Sequence, residues 1–129
     1  MDMILTVEKQ RQLEDVIKTE LLANGAEHVI LVDSSGSLIV DCGNYPLEDI
    51  LPLAALSAAN FGATAEIAKL VGEEDFTLLF HKGEKKNLHF SKIGEEYILI
   101  VVFDKSVSLG LIRLKSTKAA EKIMEILGA

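Results

Sequence analysis

Few residues in this chain have the chemistry to break bonds, and none stands in a catalytic spacing. Cys42 is the single cysteine. A thiol nucleophile needs a nearby base and a depressed pKa. The apolar run that ends in Cys42 (LIVDC, 38–42) marks it instead as a small buried hydrophobe. His81 and His89 flank a short turn and would face each other across paired strands. Zinc usually takes three or four protein ligands, so two histidines define no metal site. A phosphate-cradling loop needs clustered glycines followed by Lys-Ser or Lys-Thr, and no such run occurs. The chain is therefore expected to bind no GTP alone, to use no cofactor or metal, and to carry no catalytic residue, for want of a nucleophile–base pair.

The charges say more about partners. Glu73, Glu74 and Asp75 follow a helix end, where the dipole slightly disfavours acid; they read as a solvated loop or as a surface for a basic partner. Lys82, Lys85 and Lys86 read as a solvated turn that discourages sheet-to-sheet aggregation. The chain has 13 basic and 20 acidic residues, a formal net charge of −7. That balance argues against nucleic acid and anionic membrane as partners, since both reward a basic surface. A lone cysteine forms no intramolecular disulfide and suits a reducing cytoplasm. No signal peptide is read at the N-terminus, and no run of about 18 uncharged apolar residues is read as a membrane helix.

The elements that must position any functional face follow from periodicity. The 129 residues fit one domain, 1–129, with a core of its own. Residues 6–24 read as a helix, with Thr6 as N-cap, Leu13, Val16, Ile17 and Leu21 at helical spacing, and Asn24-Gly25 as the stop. Residues 28–33 and 38–42 form a hairpin around Ser34–Ser37. Residues 49–71 read as a long helix capped by Asp49, with Pro52 tolerated in the first turn. Strands follow at 76–82, 87–93 and 97–103, then a helix at about 106–127 with Leu111, Leu114, Ile123 and Leu127 inward. Gly110 reads as a site where that last helix packs closely on the sheet. The order is αββαβββα, an α+β domain.

Residues 29–32 and 98–103 are apolar throughout and belong at the sheet centre, covered on both faces. Residues 87–92 alternate, Leu88 and Phe90 against Asn87, His89 and Ser91, which suits a half-exposed strand. Short connections then give a five-stranded antiparallel sheet of order 2-1-5-4-3. The long middle helix lies on one side of it and the terminal helices on the other. Strand three falls on an edge, where an apolar strand is a pairing hazard unless something covers it.

The middle helix is unusual for its small residues. From Leu53 to Ala68 Glu66 is the one charged residue, and Ala55, Ala59, Gly62 and Glu66 share a face at helical spacing. Small side chains let another backbone approach. If the sheet takes Leu53, Leu56, Ile67 and Leu70, the small residues extend beyond that face. They then serve either tight packing on the chain's own sheet or contact with another molecule.

The runs LVDSSG (31–36), LAALSAANFGATAEIAKLVGE (53–73), FHKG (80–83) and FDKSVSLGLIRL (103–114) resemble those of Roadblock/LC7 domains of the MglB type. The resemblance spans nearly the whole chain. It implies a homodimer in which the middle helices pair and the third strands join into one sheet. Such dimers bind a Ras-like GTPase of the MglA type across the paired helices and stimulate its GTP hydrolysis. Some members carry an extra tail after the last helix; these residues end at Ala129, so the resemblance does not extend to tail-dependent contacts or localisation.

On this resemblance Ala58, Phe61, Ala65, Phe76, Thr77, Leu78, Leu79 and Phe80 are expected at the dimer contact. Ala55, Ala59, Gly62, Ala63 and Glu66 are expected to meet the GTPase. An inserted arginine finger can speed hydrolysis by about 10³–10⁵-fold. The two arginines, Arg11 and Arg113, lie on helices away from that face, so stimulation would come from positioning the GTPase's own loops. The alternative is a scaffold that holds a GTPase or signalling complex without accelerating hydrolysis. A ligand sensor of profilin- or PAS-like architecture would need a roomy pocket with convergent polar groups.

Overall fold

A computed structural model describes residues 5–128. The elements are α1 (Val7–Glu20), β1 (His28–Asp33), β2 (Leu38–Gly43), α2 (Leu47–Leu70), β3 (Leu78–Lys82), β4 (Lys86–Ile93), β5 (Tyr97–Asp104) and α3 (Leu109–Leu127). The strands form one antiparallel sheet of order β2-β1-β5-β4-β3, as expected. Helix α2 packs on one face and α1 with α3 on the other.

Helix α1 begins as its sequence dictates: Thr6 Oγ1 accepts the Lys9 N–H at 3.0 Å. It is shorter than expected. The α-helix stops at Glu20, and a 3-10 turn at Leu22–Asn24 carries the chain to Gly25. Helix α2 starts at Leu47 with Pro46 as N-cap and no side-chain cap, so Asp49 is a first-turn acid and not the cap. Pro52 therefore lies past the first turn, where its missing N–H would have bonded to the Glu48 carbonyl. Helix α2 ends where Gly72 and Glu73 donate back to the carbonyls of Lys69 and Ala68, at 3.3 and 2.9 Å, a closure that satisfies two terminal carbonyls.

The core has two halves because the central strands are covered on both sides. Val29, Leu31, Leu99, Val101 and Phe103 face α1 and α3, meeting Leu13, Ile17, Ile112 and Ile123. Ile30, Val32, Ile98 and Ile100 face α2, meeting Ile50, Ala54 and Phe61. On α3 the inward row is Ile112, Ser116, Ala119 and Ile123; Leu114 points to solvent, contrary to expectation. A Cβ on Gly110 would have no neighbour within 4 Å, so close packing does not explain this glycine.

Strand β4 departs most from its pattern. Leu88 and Phe90 face α2 as an apolar pair, but Asn87, His89 and Ser91 are buried too. Alternation usually means one wet face; here α3 roofs the polar one.

Candidate functional site: the outer face of the middle helix

The inner row of α2 is Ile50, Ala54, Ser57, Phe61, Thr64 and Ala68, at spacings that keep one helical stripe on the sheet. Four of the six are small. The large residues face the other way: Leu56 is 69% exposed, Ile67 53% and Leu70 85%. This reverses the expectation that Leu56, Ile67 and Leu70 hold the sheet; of that set, Leu53 alone packs against the core. Small inner residues let α2 lie close to the β1–β5 surface, and the side chains that would anchor an ordinary amphipathic helix are left outside.

Each flank of α2 is located by its neighbours. Leu53 lines a cleft with His81, Lys82 and Gly83, so that flank looks toward the β3 edge. Leu56, Ala63 and Ile67 follow on the same side by helical spacing. Ala58, Gly62 and Ala65 line a shallow hollow of about 200 Å³ with Ser34, Glu95 and Tyr97, so the second flank looks toward the β1–β2 and β4–β5 turns. Between the flanks lie Ala55, Ala59 and Glu66, all exposed, with Glu66 paired to Lys69 at 3.2 Å.

The β1–β2 turn rests on this helix. Asp33 Oδ1 accepts the N–H groups of Ser35 and Ser37 at 3.0 and 2.9 Å, folding the turn inward. Gly36, at φ +92°, comes so close that a Cβ there would stand 3.1 Å from the Ala55 Cα. The small size of Ala55 thus has an internal cause. No such cause acts at Gly62, where an added Cβ would meet nothing within 4 Å.

The expected partner-contact residues Ala55, Ala59, Gly62, Ala63 and Glu66 are all exposed on the outer side of α2. The expected dimer residues divide. Phe61 is only 6% exposed and sits edge-on to Phe90 with ring centroids 6.5 Å apart. It packs in the chain's own core, with little surface left toward the hollow beside Gly62. Ala58 and Ala65 are half-buried beside the turns. Phe76 and Thr77 precede β3 instead of opening it. Leu78 is exposed, Leu79 packs toward α2, and Phe80 stacks on Phe103 at 6.3 Å.

The free edge of β3 follows from ladder alternation. The Lys92 N–H donates to the Thr77 carbonyl at 3.0 Å. With Leu79 opposite Phe90 and His81 opposite Leu88, residues 77, 79 and 81 bond inward to β4. The backbone groups of Leu78, Phe80 and Lys82 therefore point out from the sheet edge.

The remaining candidates are structural. Cys42 is buried, and burial pushes its thiol up to about 11, the reverse of an activated nucleophile. His81 and His89 do not face each other: His81 packs on Phe90 on the α2 side, whereas His89 points under α3. Among the described residues no group of three or more metal-binding side chains occurs. Lys86 is not merely solvated, since it pairs with Glu27 at 2.7 Å, and Asp75 is paired with Lys92. Lys92 holds the Asp75 carboxyl below its ordinary range. Arg11 pairs with Glu8 at 3.3 Å on α1, and Arg113 lies on α3, both on the layer opposite α2.

One polar lock has no counterpart in the sequence reading. Buried His28 is hydrogen-bonded through Nε2 to Asp41, and its Nδ1 accepts the Tyr45 N–H at 3.1 Å. The Tyr45 hydroxyl donates to Glu27 at 3.2 Å. Both imidazole nitrogens are thus occupied by structural partners, and the Tyr45 ring packs beside the imidazole with centroids 5.2 Å apart. By length and composition α2 could also cross a membrane, with a mean hydropathy of 1.3 over an 18-residue window, contrary to the expectation of no such segment. Its inner row is nonetheless packed on the sheet.

Comparison with known proteins agrees with this geometry. Residues 13–103 match the Roadblock/LC7 domain family. The structure of MglB from Myxococcus xanthus is 35% identical, covers 96% of this chain and 93% of its own, and superposes with a TM-score of 0.87. The gliding protein MglB of Thermus thermophilus is 29% identical, covers 98% and 96%, and gives 0.88. An uncharacterized protein of Methanocaldococcus jannaschii, MJ1340, is 33% identical over 95 residues, 68% of this chain and 82% of that protein. The chain belongs to the Roadblock/LC7 domain family.

Proposed function

We propose that this protein is a cytoplasmic homodimer that binds a Ras-like small GTPase on the outer face of α2. It has no catalytic activity of its own and stimulates GTP hydrolysis by holding the GTPase's loops in place. The observation that carries this reading is the inverted helix: Leu56, Ile67 and Leu70 stand in solvent beside an unpaired strand edge. An apolar face of this kind is a mark of protein contact. The likeness to MglB supports the choice of partner.

The two surfaces are assigned by position. Leu56, Ile67 and Leu70, with the free edge at Leu78 and Phe80, meet the second copy. Ala55, Ala59, Gly62 and Glu66, with Ala63 at the boundary, meet the GTPase. Neither membrane nor nucleic acid is required. Because neither arginine lies on the α2 layer, stimulation by an arginine finger from this chain is ruled out in the scheme. The same observation favours the alternative, a scaffold that binds the GTPase without accelerating it, and single-turnover GTP hydrolysis separates the two.

Gly62→Arg tests the assignment. It places a long cation in open space without touching the inner row. The variant should stay dimeric and lose binding to an MglA-type GTPase loaded with a non-hydrolysable GTP analogue. Wild-type affinity in a dimeric variant would place the docking surface elsewhere.

A further inference from the structure

The α3 side of β4 carries a feature that the α2 surfaces do not use. His89 is 1% exposed, and neither ring nitrogen has a hydrogen-bond partner. The hydroxyls of Ser91 and Ser116, also buried, are equally unpartnered. Buried polar groups are almost always paired, because stripping them of water without replacement costs free energy. Three such groups line one cleft of about 360 Å³ between α3 and the β3–β4 edge. That volume lies at the lower end of small-molecule pockets.

The lining has a sense. Arg113 stands on the cleft wall, and none of the ion pairs among the described residues engages it. Lys92 also borders the cleft but is committed to Asp75 and to Glu95, the latter at 3.5 Å. Glu121 is the acid on the rim. Leu78, Ala120 and Met124 supply an apolar wall. Two hydroxyls, an imidazole N–H and a guanidinium are all donors, and an oxyanion accepts from each; Arg and a carboxylate or phosphate give the strongest such pairs.

We propose that this cleft is a binding site for a small organic anion, with its oxyanion head on Arg113, His89 and the two serines and a short apolar body against Met124 and Ala120. The site lies on the opposite side of the sheet from the proposed GTPase face; it shares Leu78 with the proposed dimer edge, but its anion-binding groups are not part of that edge, and the inference does not depend on that reading.

The test is a titration of the 129-residue chain followed by amide NMR, with butyrate, butyl phosphate and butanol as probes. Saturable shifts centred on His89, Ser91 and Ser116 are expected for the anions, with at least tenfold weaker binding of butanol. A preference between the two anions identifies carboxylate or phosphate as the head group. Arg113→Gln, an exposed change that leaves the core intact, should weaken anion binding about tenfold, and Ser116→Ala should weaken it less. Equal binding of butanol, absence of saturation below about 10 mM, or unchanged affinity in Arg113→Gln would each overturn the proposal.

Discussion

The two faces of the sheet are covered in opposite ways. On one, α1 and α3 bury Leu13, Ile17, Ile112 and Ile123 yet enclose three unpaired polar groups. On the other, α2 buries Ala54, Ser57, Thr64 and Ala68, with one unpaired hydroxyl at Ser57, and leaves Leu56, Ile67 and Leu70 in water. The first face is apolar in its anchors and carries a polar defect. The second is closely seated on the sheet and carries its apolar surface on the wrong side for an isolated domain. Burial of apolar side chains is the main favourable term in folding. The α1–α3 face therefore holds the chain together, and the α2 face leaves in solvent the apolar area that the proposed contacts would cover.

The largest effect expected from that contrast is in the core. Phe103 is fully buried and stacked on Phe80. Phe103→Ala should cost about 3–5 kcal/mol of stability, whereas Leu56→Ala should leave the isolated fold nearly unchanged. Urea denaturation of both variants checks the pair. Equal losses would erase the distinction between the faces.

The polar defect should show in acid. Burial, and secondarily the Arg113 charge, push His89 down to about 4, against about 6.5 in an unfolded chain. The folded state thus favours the neutral ring. Its contribution is complete above pH 6.5, falls as pH drops through that value, and stops changing below about 4. The difference is on the order of 3 kcal/mol. His89→Leu should remove this part of the acid loss in denaturation curves between pH 4 and 6.5. A wild-type profile kept by the variant would contradict the assignment. The loss from the lowered carboxyls of Asp33, Asp75 and Asp104 falls largely below that window.

A smaller effect separates the edge from the helix. Leu78→Pro removes an outward N–H and leaves the bonds to β4 in place, as edge prolines allow. It should weaken the dimer by about tenfold, on the order of 1.4 kcal/mol, with less change in the melting temperature of the dissociated chain. Concentration-dependent light scattering checks it, and an unaffected dimer would remove β3 from the interface.

The same contrast explains what the sequence makes legible. Strand order is readable because 29–32 and 98–103 are apolar on both faces, and short connections leave few arrangements. The many small residues of α2 are also visible in the sequence, though four of them, Ala54, Ser57, Thr64 and Ala68, turn out to face the sheet. The helix's orientation is hidden because size is a poor guide to depth here: Leu56 and Ile67 look like anchors, whereas Ile50 and Phe61 mark the true stripe. Phe61 is thereby placed, on sequence, at a proposed dimer contact, whereas most of its surface is spent on the chain's own core. The polar side of β4 misleads for a related reason. Asn87, His89 and Ser91 look like a wet face, and no local pattern announces a helix such as α3 over them. The His28–Asp41–Tyr45 lock joins two strands and a loop, and its members show no motif in line.

The central claim is that the flank of α2 carrying Leu56, Ile67 and Leu70, with the β3 edge, joins two copies. Sedimentation velocity of the wild type and Ile67→Asp at micromolar concentration tests it most directly. Ile67 is half-exposed and lies outside the inner row, so the substitution should leave the chain folded. The account predicts a dimer for the wild type and a folded monomer for Ile67→Asp. A wild-type monomer, or an Ile67→Asp dimer of unchanged strength, would contradict it.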